Sequence, residues 1–571
     1  MIRTGAQLIW ESLVRHQVST VFGYPGGAIL PAYDAILQYP LRHVLVRHEQ
    51  SAAHMADGYA RASGRPGVAI ATSGPGATNL VTGIATAMMD SSPIVCITGQ
   101  VSSHVLGSDA FQEIDIVGIT IPVTKYNCLV RRAEDIAPAI DEAFRVATSG
   151  RPGPVLVDIT KDAQQASIEW DAPPPRDAEE RPAPPRHAPE DLDRALALIA
   201  GARRPVILAG RGVLLSGACE QLREFAERTQ TPVAMTLLGI GSLPASHALN
   251  LGMMGMHGEA WVNHAIQQSD LLLAFGMRFD DRVTGTPSTY APLARKIHAE
   301  LDVSEVNKII AVDVALVGDL AGTLDQLLSH VPRLEHDDWL AHIAGLKGDV
   351  AVRDIQHMPD HGRLFAAHVI HDIWRMTEGR AVVATDVGQH QMWEAQYYHH
   401  ELPRSLITSG GLGTMGFGFP AAIGAKMACP DAEVWAIVGD GGFQMTQAEL
   451  ATAAQEGVKV NIAVINNGYL GMVRQWQEFF YGRRYSSTPI SGPDLSTLAA
   501  AHGLRSVRVD TRDQVESAIR FARAAEGTVL LDFRVEQEDS VFPMVPAGAA
   551  LDAMIRRLEP SRLVETSADP G

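Results

Sequence analysis

The sequence predicts an α/β protein built from three doubly wound parallel-sheet domains. Three observations lead there. Short apolar runs recur along the chain, "GVAIATSG", "PIVCITG", "RPVILAG", "DLLLAFG", "VWAIVGD" and "NIAVINN", with helical stretches between them, the alternation expected of parallel strands covered by helices. The 571 residues exceed one core, since domains usually run to about 100 to 200 residues. The stretch "DAPPPRDAEERPAPPRHAPE", residues 171–190, holds seven prolines, which favours an extended connection. A softer boundary falls where strand patterns lapse, at 346–362. The expected units are therefore 1–170, 191–345 and 363–571, joined by two linkers.

Composition narrows the class of function. Hydrophobic residues make up 46% and charged residues 20%, enough for several cores and unlike a disordered chain. A formal charge of -18 argues against nucleic acid or an anionic membrane as partner, because either needs a basic face to replace counterions. The four cysteines, Cys96, Cys128, Cys219 and Cys429, show no C-x-x-C spacing, so a reduced, cytoplasmic protein is expected. No charged n-region with a long apolar block opens the chain, and no apolar run approaches about 18 residues. Neither export nor membrane insertion is expected.

Along the first unit, Glu49 in "VLVRHEQSAAHMADGYAR" follows a short apolar strand and opens a small-residue helix. An isolated glutamate there reads first as a residue favoured by the helix dipole, and second as an acid aimed into a cleft. In the middle unit, "VILAGRGV" is a strand running into a Gly-x-Gly turn, where Gly210 and Gly212 could admit a phosphate. The third unit carries the strongest local signal, "VWAIVGDGGFQMTQAELATAAQEGVKVNIAVINNGYL". In a right-handed βαβ unit, residues just past the carboxyl ends of the two strands meet at one sheet edge, so Asp440 and Asn467 converge. A carboxylate, an amide oxygen and the nearby Tyr469 carbonyl are hard donors suited to magnesium. Gly439, Gly441 and Gly442 let the backbone approach a phosphate group at the helix start. The first and third units also share an order of small-residue helix, strand, glycine turn, helix and strand, which suggests an internal duplication.

At this point the sequence resembles the thiamine-diphosphate-dependent enzymes, whose metal motif is Gly-Asp-Gly followed a little under 30 residues later by Asn-Asn. Within that family it is similar to the acetolactate (acetohydroxyacid) synthases, large catalytic subunit, through "VFGYPGGAILPAYDAI", "DAFQEID", "LGMMGMHG", "FGMRFDDRVTG", "TDVGQHQMWEAQ", "GGLGTMGFGFPAAIGA" and "LGMVRQWQEFFYGRRYS". The resemblance implies a pyrimidine-binding first domain, a central FAD-binding domain and a diphosphate-binding third domain. It implies that Glu49 protonates the aminopyrimidine ring, and that Gly27, Ala28, Phe111, Gln112 and Lys161 shape the substrate pocket and channel. Gly388, Gln389 and His390 would contact the cofactor, and Gly413 and Met415 would form a ledge that bends it. Asp440, Asn467 and Tyr469 would hold Mg2+, with Gly441 and Gly442 beside the diphosphate. Trp476 would select the acceptor ketoacid. Arg151, His257, Arg278, Glu300 and Asp319 would join Gly210 and Gly212 around an FAD that takes no net redox part.

The implied reaction begins with Glu49-assisted deprotonation of the thiazolium carbon. It continues with decarboxylation of pyruvate and transfer of the two-carbon unit to a second 2-ketoacid, giving 2-acetolactate or 2-aceto-2-hydroxybutyrate, the first common step of branched-chain amino acid biosynthesis. Active sites would lie between the subunits of a homodimer or homotetramer, with a small regulatory subunit as a further partner. The chain departs from the usual pattern at Ser102, where the family commonly has proline. The alternative within the superfamily is another carboligase or decarboxylase, such as glyoxylate carboligase or pyruvate oxidase. A non-catalytic binding partner is the alternative from another class, opposed by the presence of Glu49, Asp440 and Asn467.

Overall fold

A computed structural model describes residues 1–171, 186–347 and 362–557. Most of the expected linkers at 171–190 and 346–362, and the tail from 558 onward, lie outside the described residues. Three six-stranded sheets carry the fold, each parallel throughout and layered with helices. All six apolar runs singled out in the sequence form strands. Val434–Gly439 and Asn461–Asn466 are buried along their whole length, as strands covered on both faces must be.

The first sheet contains Thr20–Gly23, Arg42–Leu45, Gly67–Ala71, Ile94–Gln100, Tyr126–Val130 and Val155–Thr160. Numbered by position in the chain, its strands lie side by side in the order 2-1-3-4-6-5. The third sheet contains Val382–Thr385, Leu406–Ile407, Val434–Gly439, Asn461–Asn466, Arg505–Val509 and Val529–Arg534, and its order is again 2-1-3-4-6-5. The duplication suggested by the sequence is thus present in the topology. The central sheet differs: Pro205–Ala209, Val233–Met235, Asn250–Met253, Leu271–Phe275, Arg295–Glu300 and Val314–Val317 run 3-2-1-4-5-6, the order of dinucleotide-binding folds. A short antiparallel pair, Ile2–Thr4 with Ser167–Glu169, ties the two ends of the first unit together.

The first and third units share one core. Its buried members include Phe22, Met55, Ile84 and Cys96 from the first, and Phe417, Ala422, Phe443 and Val464 from the third. The seam is where helix Glu49–Ser63 crosses helix Gly418–Ala428. A Cβ on Gly58 would sit 2.1 Å from the Ala421 carbonyl oxygen, and one on Gly424 would sit 1.9 Å from that of Met55. The small-residue character of both helices is therefore a packing requirement: only glycine lets the two backbones touch. Gly64, at φ +72°, then ends the first helix in the left-handed region that glycine favours.

A buried charge network reinforces the seam. The Arg61 guanidinium donates to both Asp57 oxygens at 2.7 and 2.8 Å, to Asp90 at 2.9 Å and to the Thr408 carbonyl at 2.7 Å. Asp90 in turn accepts from the Gly410 and Gly411 N–H groups at 3.1 and 2.7 Å. Side chains of the first unit thereby hold a loop of the third. Replacing Gly58 with valine is expected to cost about 3 kcal/mol, since the facing backbone cannot move aside. Denaturant unfolding measures it, and an unchanged midpoint would contradict so close a helix contact.

Candidate functional site

In a doubly wound sheet the crevice opens where consecutive strands diverge to opposite sides, at their carboxyl ends. In the third sheet that point lies between the first strand, Val382–Thr385, and the third, Val434–Gly439. A pocket sits there, lined among others by Gly388, Gln389, His390, Met415, Asp440, Gly441, Gly442, Asn467 and Tyr469. With Gly439, ten of the residues named from the sequence are thus brought together by strand order alone. Every lining residue falls between 387 and 473, so the first unit of the same chain contributes none. Gly413, Glu49 and Trp476 do not line it.

The Asp440 carboxylate is 7% exposed and accepts from the Gly468 N–H at 3.1 Å; Asn467 is equally buried, and its Oδ1 accepts from the Tyr469 N–H at 3.0 Å. The Asn467 amide donates to Gln389 Oε1 at 3.2 Å, and Gln389 donates onward to Gln475 and to the Asp539 carbonyl. Both oxygen-bearing groups are therefore held in fixed orientation. Burial pushes the Asp440 carboxyl up to about 6 despite three backbone N–H contacts. A buried carboxylate with so little compensating charge fits a divalent cation, which would stabilise the ionised form. Among the described residues no three His, Cys, Asp or Glu side chains converge, so a cation here would rely on amide, carbonyl and phosphate oxygens beside Asp440.

The walls are shaped by glycines. A Cβ on Gly439 would meet the His390 ring at 2.7 Å, and one on Gly441 would lie 2.8 Å from Leu470 and 3.5 Å from the Met415 methyl. Burial drives His390 down to about 3, so its ring is neutral; Nε2 accepts from the Gly439 N–H at 3.1 Å, which leaves the proton on Nδ1, facing the Asp386 main chain. Gly388 takes φ 153°, outside the range open to most side chains.

In the first unit, the candidate residues again follow carboxyl ends of strands. Gly27 and Ala28 come after the first, Glu49 after the second, Phe111 and Gln112 after the fourth and Lys161 after the sixth. Glu49 opens its helix and accepts from the Asn79 amide at 2.9 Å. Nothing stands within 4 Å of a Cβ built on Gly27, and Phe111 is 89% exposed, so this edge faces open space within one chain. Gln112 takes φ 62°.

The central unit gathers Gly210 and Gly212 after its first strand, His257 after its third, Arg278 after its fourth, Glu300 at the end of its fifth and Asp319 after its sixth. The Gly210 and Gly212 N–H groups donate to the Phe275 and Gly276 carbonyls at 2.9 and 2.8 Å, and a Cβ on Gly212 would sit 2.6 Å from Gly276 Cα. These glycines let the ends of the first and fourth strands close together, and their N–H groups are already bonded within the protein. Glu300 accepts from the Leu301 and Asp302 N–H groups at 2.9 and 3.2 Å, and burial raises its pKa. Asp319 caps helix Leu320–His330 by accepting from Gly322. Arg151 comes from the first unit and pairs with Glu305 at 2.8 Å and Asp302 at 3.4 Å. His257 is buried and neutral, pushed down to about 4, with Nδ1 beside the Pro543 carbonyl at 3.2 Å.

Three residues escaped the sequence reading. Asp386 accepts from the N–H groups of Val387 at 2.7 Å, Gly416 at 2.9 Å and Gly418 at 3.2 Å, which fixes the backbone next to Met415; burial pushes it up to about 6. Asn79 orients Glu49, and Arg282 lies over the Trp476 ring at 5.9 Å. Asp386 and Arg282 stand inside the quoted motifs and Asn79 lies five residues past the quoted run "GVAIATSG", but only the fold shows which partner each meets.

The chain matches family models for the thiamine pyrophosphate enzymes in all three units: the N-terminal TPP binding domain over residues 3–119, the central domain over 192–327 and the C-terminal TPP binding domain over 386–533. It belongs to the thiamine pyrophosphate enzymes. It is 50% identical to the acetolactate synthase large subunit of Corynebacterium glutamicum, over 96% of this chain and 89% of that one. It is 48% identical to that of Mycobacterium tuberculosis, over 96% and 91%, and 45% identical to the acetolactate synthase isozyme 2 large subunit of Escherichia coli K12, over 97% and 100%. Within the class, then, the chain belongs to the acetolactate synthase large-subunit family.

The raised pKa of Asp440 fixes a sign. A carboxyl whose folded-state pKa lies above its unfolded value near 3.8 carries a cost that is absent below that value, grows as pH rises toward about 6 and is complete above it. Asp440→Asn is therefore expected to stabilise the cofactor-free protein at pH 7.5 by roughly 1 to 3 kcal/mol, with the gain vanishing toward pH 4. The same variant should abolish magnesium-dependent binding of thiamine diphosphate. Unfolding curves at the two pH values and calorimetric titration measure both, and a variant destabilised at pH 7.5 would contradict the assignment.

Proposed function

We infer that the chain is the catalytic large subunit of an acetolactate synthase, joining a two-carbon unit from pyruvate to a second 2-ketoacid. The observation that carries this reading is the pair of buried oxygen donors, Asp440 and Asn467, at the switch point of the third sheet, with Met415 over Gly441, in a chain of this family. Asp440, Asn467 and the Tyr469 carbonyl would hold Mg2+, and Gly441 and Gly442 would give the diphosphate close backbone approach. Bound there, thiamine diphosphate supplies a thiazolium that accepts the electron pair released when a 2-ketoacid loses carbon dioxide.

The remaining work falls to side chains. Glu49, oriented by Asn79, would hold a proton at the pyrimidine ring nitrogen. Met415 is bulky, apolar and adaptable, and its backbone is fixed through Asp386, which suits a wedge between two rings. Gln389 and His390 would bound the cofactor as neutral groups. Phe111, Gln112, Lys161, Gly27 and Ala28 would cover the reacting carbon and keep water away, so that addition to a ketoacid outruns protonation. Trp476 offers an aromatic wall to the acceptor's alkyl group, and Arg282 beside it a cation for the carboxylate.

The pocket draws no residue from the first unit of its own chain, so Glu49 would reach it from a second copy in a homodimer or a larger assembly. The 1–170, 191–345 and 363–571 segments would then act as pyrimidine, FAD and diphosphate domains. FAD fits the crevice of the central sheet in a structural role, at the strand ends bearing Gly210, Gly212, Arg278 and Glu300. No helix among the described residues is long and apolar enough to cross a membrane, and a cytoplasmic enzyme with a small regulatory partner is the matching reading.

Incubation with pyruvate, thiamine diphosphate, magnesium and FAD should yield acetolactate, read by its conversion to acetoin; acetaldehyde or acetyl phosphate as main product would overturn the reading. Trp476→Leu should lower the preference for 2-oxobutanoate over pyruvate about tenfold, the worth of one methylene against an aromatic wall. Competition between the two acceptors measures it, and an unchanged product ratio would remove Trp476 from the acceptor pocket.

A further inference from the structure

The turn that presents Glu49 is gripped by the third unit of its own chain. Helix Glu449–Glu456 lies against the segment from Arg42 to Ser51, and its contacting residues recur at the helical spacing of one face. Glu449 is 1% exposed, and its two carboxylate oxygens lie 3.1 and 3.2 Å from the Arg47 N–H. Thr452 donates to Glu449 at 2.6 Å. On the next turn Gln455 accepts from the Arg47 guanidinium at 2.8 Å, and Glu456 accepts from Arg42 at 3.1 Å.

A carboxylate is a costly choice for this position. It stands outside the diphosphate pocket, it is buried, and burial raises its pKa. For cohesion alone an apolar side chain would serve as well or better. What an apolar residue could not do is accept the Arg47 N–H, which precedes the first turn of helix Glu49–Ser63 and so has no carbonyl of that helix to bond. Arg47 is two residues from Glu49, close enough that its peptide plane sets the direction in which that acid leaves the sheet.

We propose that Glu449 is a positioning residue for Glu49, acting through the Arg47 N–H. The proposal rests on the reading of Glu49 as the acid of the pyrimidine ring. It assigns a role to a residue of the diphosphate unit that touches no part of the pocket.

The test uses the full-length protein and four variants, Glu449→Ala, Glu449→Gln, Thr452→Val and Glu49→Gln. In the cofactor-free protein, amide hydrogen exchange of residues 45–51 should quicken about tenfold in Glu449→Ala, the worth of a hydrogen bond to a charged group. Exchange elsewhere in helix Glu449–Glu456 should stay near wild type. With thiamine diphosphate and magnesium bound, the deuterium exchange of the thiazolium ring proton should slow about tenfold, while the affinity for both stays within about threefold. Glu449→Gln and Thr452→Val keep the volume and should show smaller shifts in the same direction, so a poorly folding alanine variant does not remove the test. Wild-type amide exchange at 45–51, or wild-type ring-proton exchange in all three variants, overturns the positioning role. If Glu49→Gln stops ring-proton exchange and the others do not, only this proposal falls; if Glu49→Gln leaves it unchanged, the reading of Glu49 falls with it.

Discussion

The contact of two backbones at Gly58 and Gly424 is the constraint on which the rest of the structure depends. It brings helix Glu49–Ser63 and helix Gly418–Ala428 together without intervening side chains and merges the cores of two like sheets into one. Each unit then holds a working segment of the other. Asp90 of the first fixes Gly410 and Gly411, on the way to Met415, and Glu449 of the third fixes Arg47, on the way to Glu49. Neither segment is rigid by its own local structure. A loop of glycines and a turn before a helix have few internal bonds, so their geometry is borrowed from across the seam.

The pocket is built against stability. Asp386 and Asp440 are buried carboxyls pushed up to about 6, and His390 is a buried imidazole pushed down to about 3. In each, burial sets the direction of the shift and backbone hydrogen bonds partly oppose it. Such groups concentrate where charge must be handled. Their placement at the carboxyl ends of the first and third strands follows from the strand order, which leaves that edge open. Asp386 has a purely mechanical task, since its carboxylate is filled by three N–H groups of the loops around Met415.

Much of this was legible in the sequence because the determinants are local. Six apolar runs between glycine turns gave strands, and the 27-residue interval from Asp440 to Asn467 spans one strand-helix-strand unit, so their convergence follows from handedness. The duplication could be suspected from composition, and the common 2-1-3-4-6-5 order bears it out. What the sequence could not reveal is the partner of each polar group. Asp386 looks like any acid after a strand, Asn79 like a helix residue, and Glu449 like a first-turn glutamate. Gly210 and Gly212 read as phosphate contacts, and only the fold shows that their N–H groups also bond the Phe275 and Gly276 carbonyls and that Asp319 also caps a helix. Arg151 meets Asp302 and Glu305 across a unit boundary that no local pattern encodes.

The account requires that the acid and the metal-binding pair of one working site come from different copies of the chain. Mixing two inactive variants tests this directly: Glu49→Gln and Asp440→Asn proteins are dissociated, combined in equal amounts and allowed to reassociate. A mixed dimer would contain one site with both defects and one with neither, so random pairing is expected to restore about a quarter of wild-type acetolactate formation. Reassociated mixtures that contain mixed dimers but remain as inactive as each variant alone would mean that each site is completed within a single chain, and the account would be contradicted.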